Sequence, residues 1–362
     1  MWKNLGSGTN GIINTIAIDS NNNVYVGGLL TLAMWDPNTQ VWSSLGNCVG
    51  LHDCVSIVLD SSNNVYLGGY FEMSKYYLYT DVAVWDSTNK SWSYYNLKNK
   101  INECKSIAID SNNNIYVGGI FTQNEGIVKL NPIDKSLSYL GFGLKLCNAL
   151  AVDSNNNIYA LGVHVVSINI DLEQYNSQLV VYNVTTQNYN VIELSNNDSN
   201  TYYSIAIDSN NNVYVGGTFS TIGDINANNI AMWNPTTQSW SSLNEGLSTP
   251  PYSSTCNSIA IDSNDNVYAG GQFSRAGNLS VNNIAMWNPT TQIWSSLKEG
   301  LPKPPLLENN NLVDSPSESG FPVFPLCYSI ICNQNNVYVG GQFSKAGNVS
   351  CNNIASYSYM KI

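Results

Sequence analysis

The chain has 362 residues, of which 11% are charged and 43% apolar, and its 14 Lys and Arg against 25 Asp and Glu leave a formal net charge of −11. So few basic groups cannot displace the counterions of a phosphate backbone, which excludes nucleic acid and anionic membrane surfaces as partners. With 23 Tyr, 9 Trp and 8 Phe and so little charge, the chain buries surface readily, which excludes a disordered polypeptide.

The first residues, Trp2-Lys3-Asn4-Leu5-Gly6, hold no apolar leader core, so no signal peptide is read there. The longest apolar stretch, 24–35, is broken by Gly27, Gly28 and Thr31 and is too short to span a bilayer. The expectation is a soluble intracellular protein without membrane insertion. In that setting the sequons at Asn89, Asn183, Asn197, Asn278 and Asn348 have no use.

From residue 15 onward one phrase recurs. Its cleanest form is Ser204-Ile205-Ala206-Ile207-Asp208, then Ser209-Asn210-Asn211-Asn212, then Val213-Tyr214-Val215-Gly216-Gly217. Further copies start at Thr15, Ser56, Ser106, Ala149, Ser258 and Ser329, seven in all. Asp19, Asp60, Asp110, Asp153, Asp208 and Asp262 hold one register, and Asn333 takes that place in the seventh copy. The spacing, about 41 to 71 residues, is that of repeats made of one small sheet each.

Each repeat parses into four strands. Ile-Ala-Ile is strand a, and Asp-Ser-Asn-Asn-Asn is a tight turn in which Asx side chains cap their own backbone. Val-Tyr-Val-Gly-Gly is strand b, β-branched and aromatic as a pleated surface favours. After a variable connection, Asn229-Ile230-Ala231-Met232-Trp233 is strand c. Asn234-Pro235-Thr236-Thr237 turns the chain, because Pro fixes φ and stops the ladder, and Ser239-Trp240-Ser241-Ser242-Leu243 is strand d. No helical periodicity of useful length occurs.

The seventh repeat stops after Ile354-Ala355-Ser356-Tyr357-Ser358-Tyr359 and lacks a strand d, whereas Trp2-Lys3-Asn4-Leu5-Gly6 at the start matches the strand d of Trp42-Ser43-Ser44-Leu45-Gly46. Pairing the two closes a ring and removes an exposed edge. The predicted fold is therefore all-β: a single seven-bladed β-propeller over 1–362, four antiparallel strands per blade. Its blades lie at about 13–45, 54–97, 104–140, 147–194, 202–243, 256–297 and 327–359, the last completed by 1–6, with an insertion at 302–328.

Gly-Gly-Gln-Phe-Ser-x-Ala-Gly-Asn at 270–278 and 340–348, followed by Asn-Asn-Ile-Ala and, after 270–278, by Met-Trp-Asn and Trp-Ser-Ser-Leu, resembles the kelch-like repeats of Rax2-type cortical polarity markers. Related repeats occur in bacterial and giant-virus proteins, and the resemblance covers essentially the whole chain. It implies the blade and no activity; a place in a virion or at a cell cortex is implied by the resemblance alone.

In such a ring the a–b and c–d turns share one face and the b–c and d–a connections the other. The turns are nearly constant here, whereas the connections vary, including 72–81, 163–178, 244–257 and 298–328. Insertions that depart from a repeat are free to specialise, so the b–c/d–a face is the expected binding face. Its candidate residues are Tyr76, Tyr77, Tyr79, His164, Phe321 and Phe324. The Pro-rich run 302–325 favours extended, polyproline-like backbone.

Cys54, Cys104, Cys147, Cys256 and Cys327 each lie six residues before the anchor Asp or Asn, with Ile13 and Tyr202 in the remaining two repeats. Equivalent inner-strand positions sit too far apart for disulfides, and no Cys-x-x-Cys pair exists, so these thiols are read as packing groups. Cys48 and Cys54 share one loop and could bridge under oxidation. The Asp-x-Asn-x-Asn turns lack the Gly and distal Glu of a calcium loop. Trp35, Trp85, Trp233 and Trp287 on strand c, and Trp2, Trp42, Trp92, Trp240 and Trp294 on strand d, suit blade packing better than sugar stacking. His52 and His164 alone cannot assemble a copper or zinc site, and no nucleophile elbow, phosphate loop or carboxylate pair is apparent. No catalytic residue, metal or cofactor is therefore expected. The expected function is that of a monomeric, non-enzymatic scaffold for a protein partner, with a glycan-binding propeller as the alternative and an enzyme with a motif-free site behind both.

Overall fold

The computed structural model describes residues 1–46, 48, 51–73, 78–95, 97, 101–122, 126–141, 143–169, 172–195, 199–302, 326–333 and 335–358. Among these residues the regular elements are all β, and the repeats fold into antiparallel sheets with strands in the order a-b-c-d. Repeat five is typical, pairing Thr201–Ile207, Val213–Thr218, Ile230–Asn234 and Ser239–Ser242. The sheets of repeats three and four are joined through one residue pair, Ile120 with Leu146. In the last sheet Leu326–Cys332, Asn336–Gln342 and Ile354–Ser358 are followed by Trp2–Asn4 in the fourth position, with Trp2 opposite Tyr357 and Asn4 opposite Ala355. Leu326, Cys327 and Tyr328, the end of the expected insertion, already form the start of a strand a, while 303–325 lie outside the described residues.

The first five residues of the strand-b phrase, as in Val24–Gly28, are apolar because this part of the strand is buried on both sides. Val24–Gly28 is buried throughout, and Val213, Tyr214 and Val215 are fully enclosed. Strand d, with one side outward, alternates: Ser239–Ser242 buries only Trp240. Strand a carries a bulge at the same register in every repeat, between Ile13 and Thr15, Cys54 and Ser56, Cys104 and Ser106, Cys147 and Ala149, Tyr202 and Ser204, Cys256 and Ser258, and Cys327 and Ser329. A bulge bends its strand and re-aims the side chains beside it. Here those residues meet the next sheet.

Candidate binding face

At the turn end the polar groups are consumed by the turns themselves. Asp208 Oδ1 accepts from the amides of Asn210 and Asn212, and its Oδ2 accepts from Asn212 Nδ2 at 2.9 Å and Tyr214 OH at 3.3 Å. The same set recurs around Asp19, Asp60, Asp110, Asp153 and Asp262. The fourth turn residue sits at positive φ, as Asn22, Asn63, Asn113 and Asn156 do, a conformation that Asn tolerates. Its side chain then reaches the neighbouring turn: Ser61 N donates to Asn113 Oδ1 and Ser111 N to Asn156 Oδ1, both at 3.0 Å. Burial and the Asp153 carboxylate push the Tyr159 phenol up to about 12, so it stays a hydrogen-bond donor to that carboxylate. Carboxylates so occupied are turn caps, and among the described residues no cluster of three or more His, Cys, Asp or Glu is placed to hold a metal.

Between sheets, three contacts recur. First, the cysteine after each d–a connection packs on the first glycine of the preceding strand b. A Cβ on Gly27 would come 2.6 Å from Cys54 Sγ, and one on Gly216 2.7 Å from Cys256 Sγ, closer than real Cβ atoms approach. Gly68 faces Cys104, Gly118 faces Cys147, Gly270 faces Cys327, and Gly340 faces Ile13 in the same way. All five thiols are fully buried, and burial pushes Cys147 and Cys256 up to about 12, which leaves them neutral and unreactive. All eight cysteines are free, Cys48 and Cys54 included. Second, the Ser or Thr after the bulge accepts from a backbone amide of the next strand a: Ile57 N to Thr15, Ile107 N to Ser56, Leu150 N to Ser106, Ile259 N to Ser204, Ile330 N to Ser258 and Ile16 N to Ser329. Third, a strand-d indole donates to the end of the previous strand d: Trp42 to Leu5 O, Trp92 to Leu45 O, Trp294 to Leu243 O and Trp2 to Leu297 O. Paired Trp rings on strands c and d, such as Trp233 and Trp240 at 5.4 Å, stand in this seam.

The contact of repeats four and five departs from all three. Leu161 occupies the glycine position, Tyr202 the cysteine position and Ala149 the serine position. With the hole filled by Leu161, Tyr202 turns its ring to Phe219 at 5.1 Å. Trp240 Nε1 is buried without a partner, while Leu194 O accepts from Gly223 N instead.

The opposite end carries unlike connections. Repeat one has a short link ending in Leu30, 74% exposed. Repeats two and four prolong strands b and c into long hairpins, Val65–Met73 with Leu78–Asp86 and Ile158–Asn169 with Leu172–Asn183. Repeats five, six and seven insert a second small hairpin, in which Gly223, Gly277 and Gly347, at positive φ, approach Trp240, Trp294 and Trp2. Of the candidate residues, Tyr79 lies on strand c of repeat two opposite Glu72, and His164 on strand b of repeat four opposite Asn176, beside Gly143. The structure puts these two on the two long hairpins of different repeats. Tyr76, Tyr77, Phe321 and Phe324 lie outside the described residues.

One polar group at this end lies outside the repeat motifs. Asn14 Nδ2 donates to Asp53 Oδ1 at 2.8 Å across two repeats, and Lys105 Nζ donates to Glu103 Oε1 in the next. Burial raises the Asp53 carboxyl above its ordinary value and the Glu103 charge adds to this, against the lowering effects of His52, Asn14 and Lys105. The signal was present: these residues flank the recurring cysteine register, at Asp53-Cys54 and Glu103-Cys104-Lys105. Two hollows lie at repeats five and six. One, of about 480 Å³, runs along Trp294 and Gly277; the other, of about 600 Å³, opens between repeat five and the 247–254 connection.

Stretches 96–119 and 246–272 match a family model described as Beta-propeller repeat. The fold and its repeats make this chain an all-β protein of β-propeller repeats. Its sequence is 31% identical over 113 residues to the polarized growth protein rax2 of Schizosaccharomyces pombe, a match over 29% of this chain and 10% of that protein. Among solved structures, the extracellular domain of a putative one component system from B. thetaiotaomicron superimposes with a TM-score of 0.62 at 12% identity, over 99% of this chain and 40% of that chain. The WD40 repeats of RRP9 superimpose with a TM-score of 0.61 at 10% identity, over 99% of both chains. The chain thus spans well under half of rax2 and of the bacterial protein. Among the described residues no helix is long and apolar enough to cross a membrane.

Proposed function

We propose that this chain is a non-enzymatic scaffold of seven four-stranded blades, closed by its first strand, that binds a protein partner through the b–c/d–a end. Closure is supported by the pairing of Trp2–Asn4 with Ile354–Ser358 and by Ile16 N donating to Ser329 Oγ across 313 residues. The kelch-like, Rax2-type character rests on the 270–278 and 340–348 phrases and on the partial rax2 match.

One observation carries the functional reading: the two ends differ in kind. At the turn end the Asp carboxylates cap the turns and the Asn side chains at positive φ tie neighbouring turns together, and the end repeats from sheet to sheet. At the other end the connections differ between groups of repeats, with a short link in repeat one, long hairpins in two and four and a second small hairpin in five to seven, and this end presents Leu30, Tyr203 and Tyr252 to solvent. Surfaces that bind proteins are rich in aromatic groups held on a rigid frame. Tyr76, Tyr77, Tyr79, His164, Phe321 and Phe324 are the proposed contacts.

The test is a quantitative pulldown from native lysate with variants at each end. Tyr79→Ala and His164→Ala should lose the partner that Asn38→Lys and Thr236→Lys retain. Loss confined to the two lysine variants, which sit on the turn end, would reverse the assignment of the faces.

A further inference from the structure

The hollow between repeat five and the 247–254 connection is a binding cleft in its own right. It is an open hollow of about 600 Å³, and its lining, drawn from 199–200, 218–220, 228–229 and 247–254, contains no charged side chain. The walls are braced. Asn229 accepts from Phe219 N at 3.1 Å through Oδ1 and donates to Leu247 O at 2.7 Å through Nδ2. Asn200 Nδ2 donates to Ser195 Oγ and Thr221 O, and Thr249 Oγ1 accepts from Ser274 N. These amides hold the frame and set its shape before any ligand arrives.

Two groups are left over. Ser254 is 5% exposed and lines the cleft, and its Oγ, almost sealed from solvent, has no hydrogen-bond partner. Tyr252, following Pro250 and Pro251, is 76% exposed on the same lining. A buried hydroxyl without a partner is uncommon in a folded protein and marks a place where a polar atom is missing. An aromatic face held out on a tight connection is a surface for stacking, whether on C–H groups or on another ring. Thr218, Ser220 and Ser253 add further hydroxyl groups to the lining.

We propose that this cleft binds a neutral saccharide, with the exposed Tyr252 ring stacking on a pyranose face and the Ser254 hydroxyl, turned out of its buried rotamer, hydrogen-bonding a sugar hydroxyl. An anionic ligand would find no Lys, Arg or His there, and a cationic one no carboxylate. Neutral hydroxyl and amide groups beside one aromatic ring match a ligand that is itself neutral, rich in hydroxyls and flat on one side. The site is single, since Thr249-Pro250-Pro251-Tyr252 occurs in one connection alone. It is additional to the protein-binding role and does not depend on it.

The experiment uses the full chain and a panel of neutral glucan, mannan and chitin oligosaccharides, read by saturation-transfer NMR and calorimetry, beside sialylated and sulfated glycans and a Pro-rich peptide. The expected result is binding of a neutral oligosaccharide, weakened about five- to tenfold by Tyr252→Ala, retained by Tyr252→Trp, and weakened by Ser254→Ala. Tyr252 is exposed, so its replacement tests the site without threatening the fold. Failure of every neutral oligosaccharide, binding unaffected by Tyr252→Ala, or preference for the charged glycans or the peptide would each overturn the proposal.

Discussion

The indole of Trp2 donates to the carbonyl oxygen of Leu297 at 2.8 Å, across 295 residues of sequence. The ring is 7% exposed and meets Tyr357 edge-on at 5.1 Å. Replacing Trp2 by Ala leaves a cavity and an unpaired carbonyl, and the expected loss is about 3–5 kcal/mol of unfolding free energy. Urea titration followed by intrinsic fluorescence measures it. A variant within about 0.5 kcal/mol of the parent would show that this strand contributes nothing to holding the last sheet.

The packing of Cys256 on Gly216 makes a coupling measurable. Gly216→Ala should destabilise by about 1–3 kcal/mol through overpacking. Adding Cys256→Ala frees the space, so the double variant should be more stable than the two single losses predict. Strict additivity in the double-mutant cycle would mean that the two residues do not touch.

Ala149 stands where six other repeats place a hydroxyl that accepts from the next strand a. Ala149→Ser should create the missing bond to Ile205 N and raise stability by about 0.5–1.5 kcal/mol. A lower melting temperature would count against the equivalence of this seam with the others.

The turn Asp is expected to be the costliest polar residue to remove. Asp208→Ala strands Asn212 and the Tyr214 hydroxyl and should cost about 2–4 kcal/mol. Asp208→Asn should cost less, since Asn333 fills this place in repeat seven and caps Asn335 and Asn336. Calcium should leave the melting temperature of the parent unchanged; a rise would reinstate the turns as cation sites.

Asp53 provides a pH test. Its carboxyl is raised chiefly by burial, so the folded chain holds this proton more tightly than the unfolded one. Stability therefore falls as pH climbs from the unfolded carboxylate range through the raised value, and the penalty persists at neutral pH. Asp53→Asn keeps an oxygen for Asn14 and removes the charge. The variant should melt above the parent at pH 7, and the gap should close by pH 3. A variant that melts below the parent at pH 7 but not at pH 3 would show that the pull of Lys105 and His52 wins.

The strands and turns were legible because each repeat states them again. A Pro after Asn, an Asx run or a Val-Tyr-Val segment means the same thing locally wherever it stands. The cysteine register was legible too, but not its partner. Cys54 and Gly27 belong to different repeats, and nothing local says that a thiol of one fills the gap left by a glycine of another. Tyr202 was visible as a departure from the cysteine register, yet its relation to Leu161 appears only when two sheets face each other. The saccharide cleft was the least legible part, because Ser254 and Tyr252 lie in a connection that obeys no repeat and meets Phe219 and Asn229 only in three dimensions.

A protein assembled from near-copies risks stacking them out of order, with one sheet settling where its neighbour belongs. The contact of repeats four and five pairs Leu161 with Tyr202 where five others pair a glycine with a cysteine. Tyr202 is too large for the gap over Gly27 or Gly216, and Leu161 denies its place to a following cysteine. A joint of this kind sets the fourth and fifth members of the series apart from the rest.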